Sequence, residues 1–304
     1  MADEQMMALA VESLAEPGDL APELIGALSH LVRTDLEAVT EAWRGLSVQR
    51  RLELLTQLTR SERQNAHQDF NAIYGVALAD DEPRVRRLAV DSIVTDNGPA
   101  LLERLTDLAV NDPDPYVREA AVLRLGPFAL MAEVGDLPEE WADRLRSLLL
   151  AIYRDESAPD GVRREALASV GYLDNIQVET AIEEGFEEDH FQLWAMRAMG
   201  RTANPDWLET LTGEAVHPDP AVRQEVARAL GELADERGAD TVAELVDDTE
   251  LEVRLAAIKA LGQIGGDEAR EALLYALEDD RDIIREAAEN ALNQVEEDED
   301  PLAL

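Results

Sequence analysis

The chain has 304 residues, 46% of them apolar and none of them cysteine, and its formal net charge is −39. This composition provides a buried core and excludes disulfides and cysteine-ligated metal sites. The charge disfavours nucleic acids and anionic membranes as partners and favours a basic protein partner, although adaptation to a salty cytoplasm would produce the same bias. The acidic N-terminus and the lack of an apolar run of about 18 residues predict a soluble cytoplasmic protein.

Residues 1–65 are predicted to form N-terminal helices that end in a capping hairpin. The short apolar stretch at the N-terminus either docks on the rest of the protein or moves freely. Thr34 and Glu37 have the spacing of a capping box, which predicts a helix that begins at Thr34. A second helix is predicted to begin at Ser47. Because the terminal unit of a repeat array must shield the apolar face of the first repeat, this hairpin is expected to act as a cap.

A motif recurs seven times between residues 66 and 295. We number its positions from an apolar anchor at position 0, which arginine usually follows, and the anchors are Val85, Val117, Val162, Phe191, Val222, Val253 and Ile284. Over the last three steps the anchors are 31 residues apart. Small or apolar residues return at positions 4 and 8, which share one side of an α-helix with the anchor. The motif therefore predicts one buried helical face in every unit.

Local signals mark where each of these helices begins and ends. The Asp-Pro pairs at 114–115 and 219–220 predict a capping aspartate followed by proline in the first turn. A left-handed helix end is predicted at position 9, where glycine recurs as Gly126, Gly171, Gly200, Gly231 and Gly262. A second amphipathic run precedes each motif, so every unit reads as a helical hairpin whose apolar face needs a neighbour.

This pattern resembles the HEAT-like repeats, especially the short type of about 31 residues found in phycobilin lyase subunits and bacterial scaffold proteins. The resemblance covers residues 66–295 and implies an all-α fold, a right-handed α-α solenoid of stacked helical hairpins. It also implies a ladder of Asp–Arg pairs between adjacent repeats. The aspartates of that ladder are Asp80, Asp112, Asp248 and Asp279, and because Ser157 and His217 replace aspartate in two units, the ladder is expected to be incomplete.

An insertion interrupts the repeats at about residues 127–141. It contains Phe128 and Trp141 among several apolar residues. An inserted loop usually projects from one rim of a solenoid, which would make these two aromatic residues candidates for partner binding. The alternative is that the insertion folds back and packs its apolar residues locally.

The fourth repeat, residues 185–200, departs from the pattern. It replaces the Val-Arg pair with Phe191-Gln192 and adds Trp194. Aromatic residues are enriched in protein interfaces, so Phe191 and Trp194 are candidates for partner binding, and a larger local core is the alternative. The run EEDH at 187–190 could hold a metal, but an acidic chain contains many such runs by chance, so we predict no metal and no cofactor.

Position 6 carries a basic residue in three successive repeats. These residues are Arg197, Arg228 and Lys259, and Lys259 is the only lysine in the chain. Because the second helices of a HEAT-like array usually line its concave face, the three residues would form a basic stripe that could hold an acidic peptide or another anion. Ordinary salt bridges, such as Glu225 with Arg228 three residues later, are the alternative.

The chain ends in an acidic segment, residues 296–304, which we interpret as a solvated tail rather than a docking motif. The histidines lack the spacing of known catalytic or metal-binding motifs, and we expect no enzyme activity. The leading hypothesis is a non-catalytic scaffold or adaptor that binds a protein partner on the concave face. One alternative, implied by the repeat type alone, is a subunit or chaperone of a bilin-type lyase that handles a prosthetic group. Another is a passive structural array without a specific partner.

Overall fold

The computed structural model describes residues 2–93 and 96–299, and the regular structure in these ranges is helical. The chain forms two compact units, Met1–Phe128 (unit 1) and Ala129–Leu304 (unit 2). The helices that begin in unit 1 are α1 (Ala2–Ser13), α2 (Pro22–Ala27), α3 (Arg33–Arg44), α4 (Val48–Gln64), α5 (Asn71–Ala77), α6 (Pro83–Ser92), α7 (Pro99–Asn111) and α8 (Pro115–Glu133), of which α8 ends in unit 2.

Unit 2 continues the series of helical hairpins. Its helices are α9 (Glu139–Arg154), α10 (Asp160–Val170), α11 (Ile176–Phe186), α12 (Gln192–Arg201), α13 (Leu208–Gly213), α14 (Pro220–Leu233), α15 (Ala239–Glu244), α16 (Leu251–Ile264), α17 (Gly266–Ala276) and α18 (Asp282–Glu299). Short 3₁₀ turns flank α13 and α15. The second helices of successive hairpins pack side by side in the order α10, α12, α14, α16, α18. None of the helices within residues 2–93 and 96–299 is long and apolar enough to cross a membrane.

The predicted helical face forms the core of every repeat. The residues at positions 0, 4 and 8 are buried in all seven copies of the motif. The capping predictions at the start of two helices are also confirmed, because Asp114 accepts a hydrogen bond from the backbone N–H of Tyr116 and Asp219 accepts one from that of Ala221. These features confirm an all-α solenoid of stacked helical hairpins.

The prediction of a left-handed helix end at the position 9 glycines is wrong, although α10 does end there, with Gly171 as its right-handed C-cap. Helices α12, α14 and α16 continue through Gly200, Gly231 and Gly262 and end one residue or more later. These glycines are instead places where one second helix touches the next. A Cβ atom on Gly200 would lie 2.7 Å from the Cα of Ala229, a distance that no real side chain tolerates. Glycine is therefore required for close backbone approach and not for a left-handed turn.

The same contact recurs along unit 2. The pairs are Gly171 with Ala198, Gly200 with Ala229, Gly231 with Ala260, and Gly262 with Ala291. The left-handed residues come later, at position 12, where Ala203, Ala234 and Gly265 have φ values of 51°, 52° and 70°. The spacing of successive second helices is thus set by a repeated glycine–alanine contact.

The N-terminal segment packs on the capping hairpin. Ala10 and Leu14 are buried, and Arg50 Nε donates a 2.7 Å hydrogen bond to the carbonyl oxygen of Leu14. Ser47 caps α4 as predicted, because its hydroxyl accepts from the backbone N–H of Arg50. The capping box at Thr34 is wrong, since α3 begins at Arg33 without a side-chain cap.

The insertion is largely helical. Its first half extends α8 to Glu133, with Pro127 inside the helix, and α9 begins at Glu139. Phe128 has no exposed surface, so it belongs to the core and its proposed role in partner binding is corrected. Trp141 remains partly exposed and lies under the guanidinium of Arg144, 4.5 Å from the ring centroid.

The last repeat has a polar outer side. Asn293 stands at position 9 in place of glycine, and Glu289 stands at position 5, where Ala227 and Ile258 are buried in the two preceding repeats. Polar residues at these two positions are typical of a terminal repeat, although Leu274, Tyr275 and Ile283 of the last hairpin remain exposed. Helix α18 runs to Glu299 and so includes the first four residues of the acidic segment that we interpreted as a solvated tail, whereas residues 300–304 lie outside the described residues.

Candidate partner-binding surface

The Asp–Arg ladder is present at both ends of the repeat array and interrupted between them. Arg86 and Asp112 form a bidentate pair in unit 1 with both N–O distances at 2.7 Å. Arg223 and Asp248 form the same pair in unit 2, at 2.6 and 2.8 Å. The further pairs are Arg51–Asp80 and Arg254–Asp279. The predicted incompleteness of the ladder is confirmed.

In unit 2 the ladder arginines lower the pKa of two of the ladder aspartates. The hydrogen bonds from Arg223 hold the pKa of Asp248 below its usual value. The hydrogen bond from Arg254 lowers the pKa of Asp279 in the same way. These aspartates therefore stay ionised under mildly acidic conditions and act as structural links between hairpins.

The fourth repeat replaces its ladder contact with an aromatic one. The residue six before Gln192 is Phe186, so Arg163 of the preceding repeat has no ladder aspartate in the next repeat and lies 3.8 Å from Asp160 of its own helix. The guanidinium of Arg163 also lies over the ring of Phe191, 4.8 Å from the centroid. Phe191 also packs edge-on against Tyr153, with 5.5 Å between ring centroids. A cation–π contact thus takes over the link between these two hairpins.

Phe191 has no exposed surface, which corrects its proposed role in partner binding. The alternative of a larger local core is confirmed for this residue. Trp194, three positions later, stays partly exposed. Its indole Nε1 donates a 3.0 Å hydrogen bond to Glu165, and the guanidinium of Arg164 lies 4.8 Å from its ring centroid. Trp194 is therefore a fixed aromatic side chain at the surface.

The three basic residues at position 6 occupy different environments. Arg197 forms a bidentate pair with Glu225 of the next repeat, with both N–O distances at 3.0 Å. Arg228 lies 3.7 Å from the same Glu225, on its own helix. The salt-bridge alternative is thus confirmed for these two arginines. Lys259 is exposed, and the structure places no ion pair on it among the described residues.

Solvent exposure distinguishes Arg197 from Arg228. The side chain of Glu225 is 5% exposed and that of Arg197 is 25% exposed, whereas that of Arg228 is 49% exposed. Burial opposes the charge of Arg197, but the hydrogen bonds to Glu225 outweigh it and raise the pKa of the guanidinium. Arg197 is therefore a structural residue, and Arg228 and Lys259 are the accessible cations.

We call the surface formed by positions 3 and 6 of α12, α14 and α16 the second-helix face. Its residues are Trp194, Arg197, Glu225, Arg228, Ala256 and Lys259. A groove of about 360 Å³ lies on this face between α14 and α16. Its lining residues are Gln224, Arg228, Glu232, Glu252, Leu255, Ala256, Lys259 and Gln263. The groove brings two of the three sequence-predicted basic residues together.

The groove was missed at the sequence level, although a signal for it exists. Position 3 carries Glu165, Trp194 and Glu225 in successive repeats and then Ala256. Ala256 lines the groove together with Arg228, whereas Ala120, which also holds position 3, follows the acidic Asp91 at position 6 of the repeat before it. The metal hypothesis for residues 187–190 gains no support, because the described part of the chain contains no group of three His, Asp or Glu side chains able to hold an ion.

Several solved structures resemble the chain at low sequence identity. Human deoxyhypusine hydroxylase is 18% identical over 97% of this chain and 98% of its own, with a TM-score of 0.37. YibA of Escherichia coli is 15% identical over 92% and 99%, with a TM-score of 0.44. The CpcE–CpcF complex of phycocyanin lyase from Nostoc sp. PCC7120 is 21% identical over 67% and 68%, with a TM-score of 0.33. These TM-scores are too low to support a functional conclusion.

No curated protein sequence matches the chain significantly. The family profile for HEAT repeats does match, at residues 74–171, 181–250 and 213–293. These segments together span more than half of the chain and contain all seven anchors. The chain belongs to the HEAT-repeat family.

Proposed function

We propose that the chain is a non-catalytic scaffold or adaptor that binds a protein partner on the second-helix face. The observation that carries this proposal is the placement of Trp194, Arg228 and Lys259 on one face, on the second helices of three successive hairpins (α12, α14 and α16). Tryptophan and arginine dominate the energetics of protein interfaces, whereas lysine contributes mainly by charge. In a chain with a net charge of −39, this is also a place where accessible basic residues lie side by side.

The fixed geometry of Trp194 favours binding. Its ring is held by Arg164 on one side and by the hydrogen bond to Glu165 at the indole nitrogen. A side chain that is ordered before the partner arrives loses less conformational entropy on association. The buried Phe191 beneath it and the Gly200–Ala229 contact keep α12 in place. The face is thus organised in advance of binding.

The alternative of a bilin-type lyase subunit or chaperone has the support of the repeat type only. A coloured ligand that copurifies with the native protein would favour it. A polypeptide that copurifies in stoichiometric amount would favour the scaffold. Absorbance spectra and gels of the protein from its native cells therefore separate the two functions.

The proposal is tested by capture of partners from native lysate on tagged full-length protein, at low and high salt, with identification by mass spectrometry. We expect one dominant partner whose capture is lost with Trp194→Ala and retained with Trp207→Ala, a matched control because Trp207 is also partly exposed and lies outside the second-helix face. Equal thermal stability of the two variants rules out unfolding as the cause. Capture of many basic proteins at low salt only, with no dominant species, would contradict the proposal, because a generic polyanion behaves in that way.

A further inference from the structure

We propose that the groove between α14 and α16 is a carboxylate-binding site that recognises an acidic, extended segment of the protein partner. The inference rests on the proposed function and names the chemistry of the partner. It follows from comparing the same two motif positions in successive repeats.

The preceding interface shows how a basic residue at position 6 binds a carboxylate. Between α12 and α14, the position 6 residue Arg197 meets the position 3 residue Glu225 of the next repeat, and two 3.0 Å hydrogen bonds join them. The carboxylate comes from the chain itself and is almost completely buried. Arginine binds a carboxylate in this bidentate way because its planar fork matches the two oxygens.

At the next interface the cation is present and the carboxylate is missing. Position 6 of α14 is Arg228, and the position 3 residue of α16 is Ala256. Arg228 turns back to Glu225 at 3.7 Å and leaves its side chain 49% exposed. Ala256 lines the groove although its own short side chain is only 8% exposed, so the groove lies beside position 3. A carboxylate in this groove would stand toward Arg228 as Glu225 stands toward Arg197.

The following repeat has the same combination of a basic residue at position 6 and an alanine at position 3 of the next repeat. Position 6 of α16 is Lys259, and the position 3 residue of α18 is Ala287. Lys259 also lines the groove. Neither Arg228 nor Lys259 therefore has an acidic residue at position 3 of the next repeat, whereas Arg197, one repeat earlier, has Glu225 there. This pair favours a ligand with two carboxylates.

The charge balance in the groove is compatible with an acidic ligand. Of the two lining carboxylates, Glu232 lies 3.3 Å from Arg201 and is compensated by it. Glu252 is exposed and opposes binding. Arg228 and Lys259 thus face one uncompensated carboxylate. At physiological ionic strength the remaining negative charge of the chain is screened beyond about 8 Å, so the charges that line the groove determine its affinity for an acidic ligand.

The geometry of the two helices sets the spacing of the acids. Helices in close contact have axes about 8–10 Å apart, and the Gly231–Ala260 contact places α14 and α16 at the short end of that range. In an extended peptide, residues two apart point to the same side and are separated by about 6.6 Å. The long side chains of Arg228 and Lys259 make up the difference between this spacing and the distance between the two helix axes. The expected ligand therefore carries two acidic residues separated by a single residue.

The test uses a display library of random 12-residue peptides, selected on full-length protein at physiological salt. We expect the wild type to enrich peptides with two acidic residues separated by one residue. Ala256→Glu supplies the missing carboxylate within the chain and is expected to abolish this enrichment, whereas Ala256→Gln, of nearly equal size, retains it. The best peptide should bind about tenfold more tightly than its analogue with both acids replaced by amides.

Three results would overturn the inference: no enrichment of acidic peptides, enrichment that survives Ala256→Glu, or equal affinity of the acidic and amide peptides. A partner captured through Trp194 with none of the expected peptide results would leave the scaffold function standing and remove only this inference.

Discussion

The α12–α14 and α14–α16 interfaces have the same backbone contact and different surface chemistry. Both are closed by glycine against alanine, Gly200 with Ala229 and Gly231 with Ala260. Above this contact, the first interface is filled by Arg197 and Glu225, and the second is open at Ala256. A repeat array can therefore keep its packing constant and create a binding groove by truncating one side chain.

The backbone contact is the part whose loss costs most. Gly200→Ala adds a Cβ atom 2.7 Å from the Cα of Ala229, and the two helices must separate. We expect a loss of about 3 kcal/mol in the free energy of unfolding. Urea denaturation measures it. The matched control is Gly213→Ala, since no atom lies within 4 Å of an added Cβ at that position and stability should be unchanged or slightly higher.

The filled interface should be more sensitive to loss of its cation than the open one. Arg197→Gln leaves the buried carboxylate of Glu225 with only the 3.7 Å contact to Arg228, and we expect a loss of about 2 kcal/mol. Arg228→Gln removes a half-exposed side chain and should cost less than about 0.5 kcal/mol. Equal costs in thermal or urea unfolding would show that the two interfaces do not differ as described.

Acid tests the Asp–Arg ladder at the α14–α16 interface. The pKa of Asp248 is lowered in the folded protein by Arg223, so this pair stabilises the fold above the unfolded pKa of about 3.9 and ceases to do so as the pH falls through the folded value. Arg223→Gln should therefore be less stable than wild type at about pH 6, and the gap should narrow towards about pH 3. A gap that widens on acidification would contradict this assignment.

Filling the open interface should give a small gain in stability. Ala256→Glu provides a carboxylate for Arg228 and should increase the free energy of unfolding by about 0.5 kcal/mol, the usual value of a partly exposed ion pair. Ala256→Gln serves as the control and should leave stability unchanged. High salt should remove the gain. A loss of stability with both variants would indicate that the groove is too narrow for a side chain.

The helices and the core could be predicted from the sequence because positions 0, 4 and 8 depend on local periodicity alone. The role of the glycines could not be predicted, because a glycine after an apolar helical run is typical both of a helix end and of a close helix–helix contact. Only the position of the neighbouring helix distinguishes the two roles. The burial of Phe191 depended likewise on Arg163 and Tyr153 of the preceding repeat. To predict the groove, one would have to know which residues of adjacent repeats face each other. That register places Arg197 against Glu225 and leaves Arg228 opposite Ala256.

Site-specific photo-crosslinking tests the central claim, that the partner binds the second-helix face. A photoreactive residue is placed at Glu252, on the rim of the groove, and in a second protein at Val216, which is 85% exposed and precedes α14. With the captured partner present, the account predicts a crosslink from position 252 and none from position 216. Crosslinking from 216 with none from 252 would contradict it.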